Sequence, residues 1–465
     1  MLLQVLDICI IRRDVLSLGF VYPLMVKPVI DLGDPALLQQ DDITLARVLS
    51  SALSAGELAV LRLAILRVLD AELVVDVPIL SGTPSCSTGY VLAMEGQSAE
   101  YIANYWFPGT QVISVPDTQL IRVNIAHLVT SATIAMANPA SRSNIDLSNN
   151  PDGSLNNGGL GTATSIYRFS LVGKKIAASM SNKGSPTLSF PAQSLWNMCW
   201  TGTTAFPAPT GGLYGPKPEP FSVIKVTTSA GSTQLRYGQV QLKVIGAKIE
   251  ITATMTIEQY LMGISEMSSS WLPAALQAQA IASRTYALAH PTLRAACNCN
   301  VYNTKYDQAF IGYAKESEAK VGANWIAAVA ATETDPSSAQ AIYYQGKPIS
   351  VYFFSSDGGQ TQTSADVWGT AFPYLTNVPD PWSLDIFLNP LYAHWQRVLI
   401  QKDVAAAFNL PDVVALAITA RTVTNSATTV TATSSSGITA QLAVGDFKTK
   451  LKLPSSWFEI APNTY

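Results

Sequence analysis

The chain has 465 residues, and only 13% of them are charged, about half the share usual in soluble proteins. This length suits two or three domains, or one large domain with appendages. The net charge of −3 and the lack of a basic run argue against nucleic acid as the main partner. No stretch is long and apolar enough to predict a transmembrane span. Ser, Thr, Asn, Gln and Gly carry much of the polarity, which favours a secreted or wall-associated protein.

Residues 1–83 differ in composition from the rest of the chain, because they are rich in Leu and Val and contain no Trp. The apolar residues 15–26 follow two arginines and could be an export signal. An upstream Asp7 and the lack of a small-residue cleavage site argue against that reading. The abrupt change suggests that residues 1–83 are an atypical region, and one hypothesis is a wrong start or a shifted reading frame.

Two stretches rich in Asn, Ser, Gly and Pro interrupt the chain. Residues 138–160 predict a long flexible loop, and residues 203–221 predict a separation between subdomains. We therefore expect a β-rich part with flexible loops at 84–221 and a second domain at 222–465.

The second domain begins with strand patterns and continues with helices. Residues 222–254 alternate between apolar and polar side chains and predict a β-meander. Thr256 followed by Gln259 is a capping-box pattern that opens a short helix. A longer helix follows, in which Pro273 is tolerated because it lies in the first turn.

The remaining segments predict mainly strands. Residues 349–354 predict a strand that ends at an SSDGG turn, and residues 398–460 are mostly short β-segments rich in Thr and Val. The predicted fold class is α+β, with a β-meander and short β-segments packed around a central helical segment.

Glu266 lies between the two predicted helices. The C-terminal end of the first helix disfavours a carboxylate there, and the N-terminus of the second favours one. Such a glutamate is either a partly desolvated general acid or an exposed capping residue. The residue types alone leave both readings open.

The stretch around Glu266, TIEQYLMGISEMSSSWLPAALQAQAIASRTYALAH, resembles the signature of the stage II sporulation protein D family, which includes the amidase enhancers. Further segments resemble that family in the same order. They are LRYGQVQLKVIGAKIEITATM, YDQAFIGY, VYFFSSDGGQT, DVWG, PYLTNVPDP and KTKLKLPSSWFEI. The resemblance covers about residues 235–460 and implies that residues 222–465 are the catalytic domain.

The resemblance implies a cell-wall lytic transglycosylase that cleaves peptidoglycan glycan strands between N-acetylmuramic acid and N-acetylglucosamine. It implies a preference for strands without peptides, and it places the catalytic acid on Glu266. Ordinary glycosidases use two carboxylates, but here one suffices because the sugar's own 6-hydroxyl is the nucleophile. The alternative is a non-catalytic, glycan-binding enhancer of an N-acetylmuramoyl-L-alanine amidase, with that amidase as a partner.

Several other residues are candidates for contact with the glycan. The SSDGG loop could hydrogen-bond sugar hydroxyls, although it is also a β-turn that needs glycines. For Arg284, a structural ion pair is as plausible as substrate contact. The candidate substrate-binding residues are Ser355, Ser356, Gly358, Gly359, Gln279, Arg284 and Tyr286.

The side chains next to these candidates raise further alternatives. If Asp357 faces the site, its like charge would raise the pKa of Glu266. The aromatic residues Tyr286, Tyr352, Trp368 and Tyr374 could stack on sugars, but their spacing favours a place in the core.

The five cysteines are too few and too irregularly spaced for a disulfide framework. His290, Cys297 and Cys299 could form a metal site, but the Cys-x-Cys spacing is unusual for one, and a disulfide is as plausible. We therefore predict no metal and no cofactor. His127 and His394 are isolated in the sequence and are assigned no functional role.

Overall fold

The computed structural model describes residues 86–138, 144–150, 161–182, 184–200, 221–304, 306–352, 356–386, 388–389 and 392–461. The chain divides into two units, residues 1–79 and 80–465, and every described residue lies in the second. The atypical region predicted at residues 1–83 therefore lies outside the described residues. In the described part of the chain, no helix has the length and apolar character needed to cross a membrane.

The described part of the second unit begins with two helices, continues with a long run of strands, and then mixes helices and strands. Its helices are α1 (Cys86–Met94), α2 (Ala99–Trp106), α3 (Ile257–Leu261), α4 (Pro273–Ala289), α5 (Tyr313–Glu316), α6 (Gly322–Ala330), α7 (Ser364–Trp368), a 3-10 helix (Pro381–Leu384), α8 (Gln401–Phe408) and α9 (Val444–Leu451). Its strands before α4 are β1 (Gln111–Pro116), β2 (Leu120–Val129), β3 (Ser131–Asn138), β4 (Ile145–Ser148), β5 (Ile166–Val172), β6 (Lys175–Ser181), β7 (Leu188–Gln193), β8 (Leu195–Trp200), β9 (Val223–Thr228), β10 (Gly231–Leu235), β11 (Gln239–Ile245) and β12 (Lys248–Thr256). The later strands are β13 (Val301–Tyr302), β14 (Glu333–Asp335), β15 (Ser338–Tyr344), β16 (Lys347–Pro348), β17 (Ala415–Arg421), β18 (Ala427–Thr433) and β19 (Thr439–Ala443).

Two six-stranded sheets form the larger part of the fold. Their strand orders are β10-β9-β3-β5-β6-β7 and β13-β2-β12-β11-β8-β4, and β13 pairs in parallel with β2. The α+β class is confirmed. The strands expected at 222–254 are present, but the meander is wrong, because the β9–β10 and β11–β12 hairpins belong to different sheets. Alternation identifies a strand's buried face but not its neighbour.

Both sheets combine strands from the two ranges that the sequence analysis separated, 84–221 and 222–465. Strand β9 pairs with β3, and β11 pairs with β8. The division at residue 221 stays a prediction about chain organisation. Within the unit, the strands of the two ranges are hydrogen-bonded to each other.

Helix α4 lies in the main core and positions the segment that precedes it. It packs against α1, α2, α6 and β15, and its alanines Ala275, Ala278, Ala280 and Ala282 are buried. Small side chains let these neighbours approach the helix closely. The loop from Met262 to Leu272 is therefore attached to a fixed helix.

The strand predicted at 349–354 is wrong over its described residues. Strand β16 ends at Pro348, and residues 349–352 are not in a strand, while 353–355 lie outside the described residues. The Ile349 N–H still donates to the Ile342 carbonyl of β15 at 3.2 Å. The Ser350 N–H donates to the Tyr374 hydroxyl at 3.1 Å instead, so the ladder with β15 ends there.

The prediction of mostly β-segments at 398–460 was incomplete. The three-stranded sheet β17-β18-β19 is present, but α8 and α9 pack on it. Phe408, Val430 and Phe447 share a separate core there. Helix α8 buries its apolar side chains along one face. The Thr- and Val-rich composition of the neighbouring strands hid this helical pattern in the sequence.

Candidate functional site

Glu266 lies in the loop between α3 and α4, as the sequence analysis expected. The capping box is formed at the start of α3. Thr256 Oγ1 accepts from the Gln259 N–H, and Gln259 Oε1 accepts from the Thr256 N–H, each at 3.2 Å. Pro273 is in the first turn of α4. Local sequence signals therefore fix both ends of this loop.

A second segment of the chain pairs with the first half of this loop. The Ser265 N–H donates to the Ala309 carbonyl at 2.8 Å, and the Ile311 N–H donates to the Gly263 carbonyl at 2.8 Å. A Cβ at Gly263 would overlap the ring of Phe310, which itself stacks on Tyr260 with ring centres 5.4 Å apart. Glycine at 263 allows this close approach, which holds the loop against residues 309–311.

Glu266 is 7% exposed, and its Oε1 accepts a hydrogen bond from the Ala309 N–H. Burial raises the pKa of Glu266 to about 7, and the Ala309 N–H opposes that rise. Asp357 is not among the groups that shift this pKa. Desolvation, rather than the hypothesised like-charge repulsion from Asp357, therefore keeps a large fraction of Glu266 protonated at neutral pH.

Side chains from α5 and α6 fix the rest of the loop by binding its backbone carbonyls. Lys315 Nζ donates to the Met267 carbonyl at 2.8 Å. Trp325 Nε1 donates to the Leu261 carbonyl at 2.8 Å. Sequence reasoning did not assign these residues, because no local pattern pairs a loop with a helix some fifty residues later. The resemblance of YDQAFIGY to a family segment was the one signal that pointed to this neighbourhood.

Two of the predicted substrate-binding residues on α4 are buried. Gln279 is 1% exposed and donates through Nε2 to Ser283 Oγ at 3.0 Å. Arg284 is 0% exposed, lies 3.3 Å from Asp117 and donates to the Thr332 hydroxyl at 2.9 Å. Both side chains are thus buried and bonded within the protein, as the structural alternative for Arg284 describes. Substrate contact by either residue stays a prediction.

Tyr286 belongs to a hydrogen-bonded network around Asp307. Its hydroxyl donates to Asp307 Oδ1 at 2.5 Å, and the Arg294 guanidinium binds both carboxylate oxygens of Asp307 at 2.6 Å. The Tyr302 N–H donates to Asp307 Oδ2 at 2.7 Å. Asp307 lies two residues before Ala309, so this network holds the segment that reaches Glu266.

The described part of the SSDGG loop is a tight turn. Ser355 lies outside the described residues, and Ser356 is half-buried. Gly358 and Gly359 have φ values of 80° and 104°, which favour glycine. Asp357 is buried, and its Oδ1 accepts from the Gly359 N–H at 3.0 Å. Burial first and the neighbouring Asp380 second raise the pKa of Asp357 to about 8.

Helix α1 links this loop to the Glu266 segment. Thr88 donates to Asp380, which neighbours Asp357, and Tyr90 contacts the Trp271 ring edge-on with centres 5.0 Å apart. Ser356 and Gly358 line a cavity of about 1680 Å³, whose lining does not include Glu266. Helix α1 therefore contacts both Asp380, next to the loop, and Trp271, in the segment that follows Glu266.

The candidate stacking aromatics divide into two pairs. Tyr286 and Tyr374 are buried, as the core reading expected, and the Tyr374 hydroxyl accepts from the Ser350 N–H at 3.1 Å. Tyr352 and Trp368 are 40% and 52% exposed and pack on each other with ring centres 4.5 Å apart. The core reading is wrong for this second pair.

The disulfide alternative holds at the Cys-x-Cys motif, because Cys297 and Cys299 are bonded to each other. The ring of His290 stacks on Tyr286 with centres 4.1 Å apart, and His290 Nδ1 lies 2.7 Å from the Tyr286 carbonyl oxygen. His127 Nδ1 lies 2.8 Å from the buried Glu250 carboxylate. These contacts account for both histidines structurally.

Residues 246–335 match the model of a protein family described as the stage II sporulation protein. The chain resembles this family over that range, which is less than half of its length. The matched range holds Glu266, helix α4 and the Ala309 segment, whereas the SSDGG loop lies beyond it.

Curated members of the stage II sporulation protein D family are similar to part of this chain. The stage II sporulation protein D of Bacillus subtilis (strain 168) is 28% identical over 181 residues, which is 35% of this chain and 50% of that protein. The protein of the same name from Bacillus amyloliquefaciens is 29% identical over 167 residues, 33% of this chain and 47% of that protein. The amidase enhancer of Bacillus subtilis (strain 168) is 29% identical over 128 residues, 26% of this chain and 16% of that protein. The chain thus spans half or less of each of these relatives, and no solved structure matches it.

Proposed function

We propose that this chain is a peptidoglycan lytic transglycosylase that cleaves glycan strands between N-acetylmuramic acid and N-acetylglucosamine. The observation that supports this most is the state of Glu266. Its carboxyl group is buried, accepts one backbone hydrogen bond from Ala309, has no basic side chain paired with it among the described residues, and has a pKa raised to about 7. A general acid needs a pKa near the working pH.

The proposed reaction uses Glu266 first as an acid and then as a base. The protonated carboxyl gives its proton to the glycosidic oxygen, and the bond from that oxygen to muramic acid C1 breaks. The 6-hydroxyl of the same muramic acid attacks C1, and the Glu266 carboxylate takes the hydroxyl proton. The products are a 1,6-anhydromuramic end and a free N-acetylglucosamine end, and Glu266 is protonated again.

A single carboxylate is consistent with the surroundings of Glu266. Hydrolytic glycosidases place a second carboxyl group about 5–9.5 Å from the first, to act as nucleophile or to activate water. Among the described residues, none of the groups that shift the pKa of Glu266 is a carboxylate. The internal 6-hydroxyl removes the need for one. The Ala309 N–H would stabilise the carboxylate that forms after proton transfer.

The resemblance to the stage II sporulation protein family over residues 246–335 supports a role at the cell wall, and we propose a secreted or wall-associated location. The relatives are named for sporulation and for amidase enhancement, and the chain covers only part of their length. The activity, the peptidoglycan substrate and the preference for peptide-free strands are therefore carried to this chain as proposals.

A second candidate function is that of a non-catalytic glycan-binding enhancer of an N-acetylmuramoyl-L-alanine amidase. This function is supported by the similarity of 26% of this chain to an amidase enhancer. The two candidates differ in one outcome, because only the transglycosylase forms anhydro ends.

The test uses peptide-free glycan strands and mass spectrometry of the products. The native chain should form 1,6-anhydromuramic ends, and Glu266→Gln should lower their rate by about 10²-fold or more while still sedimenting with the strands. The exposed Glu95 provides a matched control, because Glu95→Gln should leave the rate unchanged. Equal rates for Glu266→Gln and the native chain would overturn the assignment. If the native chain and Glu266→Gln stimulate an amidase equally and neither forms anhydro ends, the chain is the enhancer instead.

A further inference from the structure

A large groove is lined by residues of the SSDGG loop and of the last described segment of the chain. Its volume is about 1680 Å³, which exceeds the roughly 300–1000 Å³ of pockets that enclose drug-sized ligands. Ser356, Gly358 and Leu384 line it together with residues 457–461. A groove of this size suits a segment of a polymer.

Aromatic side chains line the groove next to the loop. Trp457 lies over Gly358, where a Cβ would be 3.2 Å from the indole. Trp395 packs near Phe458 with ring centres 6.4 Å apart, and Tyr392 adds a further half-buried ring. Half-buried aromatic rings leave apolar faces on which the C–H face of a sugar ring can pack, while their polar edges meet hydroxyls.

One cation in the groove is available to an anion. Besides Tyr392, the ionisable residues that line it within the described part of the chain are His394, Arg397 and Glu459. Glu459 is paired with Arg421 at 2.6 Å, whereas the hydrogen bond that the Arg397 guanidinium makes is to the neighbouring Gln396 carbonyl at 2.9 Å. An exposed guanidinium with donors to spare binds carboxylates well.

Aromatic rings and one available guanidinium match the chemistry of a peptide-free glycan strand. Each N-acetylmuramic acid carries a lactyl group, whose carboxylate is free once the peptide has been removed. We propose that this groove binds the part of a peptide-free strand that lies away from the cleaved bond. The proposal deepens the proposed function and rests on it for the identity of the polymer. The groove would then favour long strands over short fragments, because Glu266 does not line it.

The test measures binding in a chain that carries Glu266→Gln, so that the strands stay intact. In this background Trp457→Ala should weaken binding to long peptide-free strands about tenfold, which is the size of a 1.4 kcal/mol loss, and leave binding to a tetrasaccharide unchanged. Arg397→Gln should weaken binding to the same strands about threefold. It should have no effect on a chitin oligosaccharide of equal length, which lacks the carboxylate.

The control is Arg168→Gln, since Arg168 is exposed on β5 and does not line the groove. Trp457→Ala could lower the melting temperature because it removes the contact with Gly358. In that case the binding of strands by Arg397→Gln alone tests the proposal, since Arg397 is exposed. Unchanged affinity in Arg397→Gln, and in a folded Trp457→Ala, would overturn the groove proposal. Binding of an extended protein segment along β17, with no effect of either variant on strands, would also overturn it.

Failure of the groove proposal is distinguishable from failure of the proposed function. Anhydro ends from the native chain, together with unchanged binding in the variants, would reject the groove alone. Weakened binding in the variants, with no anhydro ends from the native chain, would reject the catalytic assignment and keep the groove.

Discussion

The Ala309 N–H donates to Glu266 Oε1, and it is the one hydrogen bond that the described residues make to that carboxyl group. A single N–H favours the carboxylate but does not offset the cost of burying its charge. The pKa of Glu266 is therefore raised to about 7, from an ordinary value of 4.5. The acid and its one donor come from two segments of the chain that are 43 residues apart.

We expect the rate of anhydro-end formation to fall as the pH rises above about 7. The first step needs protonated Glu266, and its protonated fraction decreases about tenfold for each pH unit above its pKa of about 7. Initial rates on peptide-free strands between about pH 5 and pH 9 would measure this limb. A rate that stays level from about pH 6 to pH 9 would exclude Glu266 as the acid.

Glu266→Gln should stabilise the folded chain at high pH. The folded-state pKa of Glu266 is higher than the ordinary value, so the folded chain binds more protons than the unfolded chain between about 4.5 and 7. The stability from this proton is fully present below the ordinary pKa and is lost as the pH rises through about 7. Glutamine stays neutral at every pH. Above that range, the free energy of unfolding of the variant should therefore exceed that of the native chain by on the order of 3 kcal/mol.

Urea unfolding at about pH 4.5 and about pH 8.5 would test this effect. The free energies of unfolding of the two proteins should agree at the lower pH and differ at the higher one. Glu95→Gln serves as the control, because Glu95 is exposed and the substitution should change neither value. A Glu266→Gln chain that is less stable at both values would contradict the expectation.

The parts of the site that sequence could predict depend on short-range patterns. The capping box of Thr256 and Gln259 spans three residues, and Pro273 marks the first turn of its own helix. Together they define the loop that carries Glu266. The resemblance to a known family then singled out that glutamate, which residue types alone could not do.

The rest of the site depends on contacts between segments that are distant in sequence. No pattern near Glu266 indicates that Ala309 will donate to it. The sequence could not decide between an ion pair and substrate contact for Arg284. Its acidic partner, Asp117, lies far away in the sequence, in the connection between β1 and β2. The alternation at 222–254 predicted a β-meander, but tertiary packing assigned the two hairpins to different sheets.

Asp307→Asn should destabilise the chain and impair the proposed catalysis. Asp307 is almost fully buried and binds both terminal nitrogens of Arg294, so asparagine would leave a guanidinium without its charged partner. We expect a loss of about 2 kcal/mol, less than for a fully buried pair, because Arg294 is partly exposed. Urea unfolding measures the loss, and the pH–rate profile should shift because residues 307–309 position the donor to Glu266.

The matched control for this variant is Glu459→Gln. Glu459 and Arg421 are also 2.6 Å apart, but the Glu459 side chain is 75% exposed, so the loss should be below about 1 kcal/mol. Equal losses for the two variants would show that burial of Asp307 does not matter. An unchanged pH–rate profile in a folded Asp307→Asn chain would reject its role in positioning Glu266.

Gly263→Ala should destabilise the chain through a local clash. The new methyl group would overlap the ring of Phe310, and the ring cannot move freely because Tyr260 stacks on it. Overpacking of this kind costs about 1–3 kcal/mol. The strain lies between Gly263 and the segment that binds Glu266, so the rate of anhydro-end formation should fall as well.

Gly445→Ala is the control for Gly263→Ala. Gly445 is in the first turn of α9, and a Cβ there would meet nothing within 4 Å. Alanine should therefore leave the stability unchanged or raise it by about 0.5–1 kcal/mol, since it favours the helix over glycine. Thermal unfolding of both variants gives the comparison. If Gly263→Ala were as stable as Gly445→Ala, the close packing of residues 263 and 310 could not be what holds the loop of Glu266 in place.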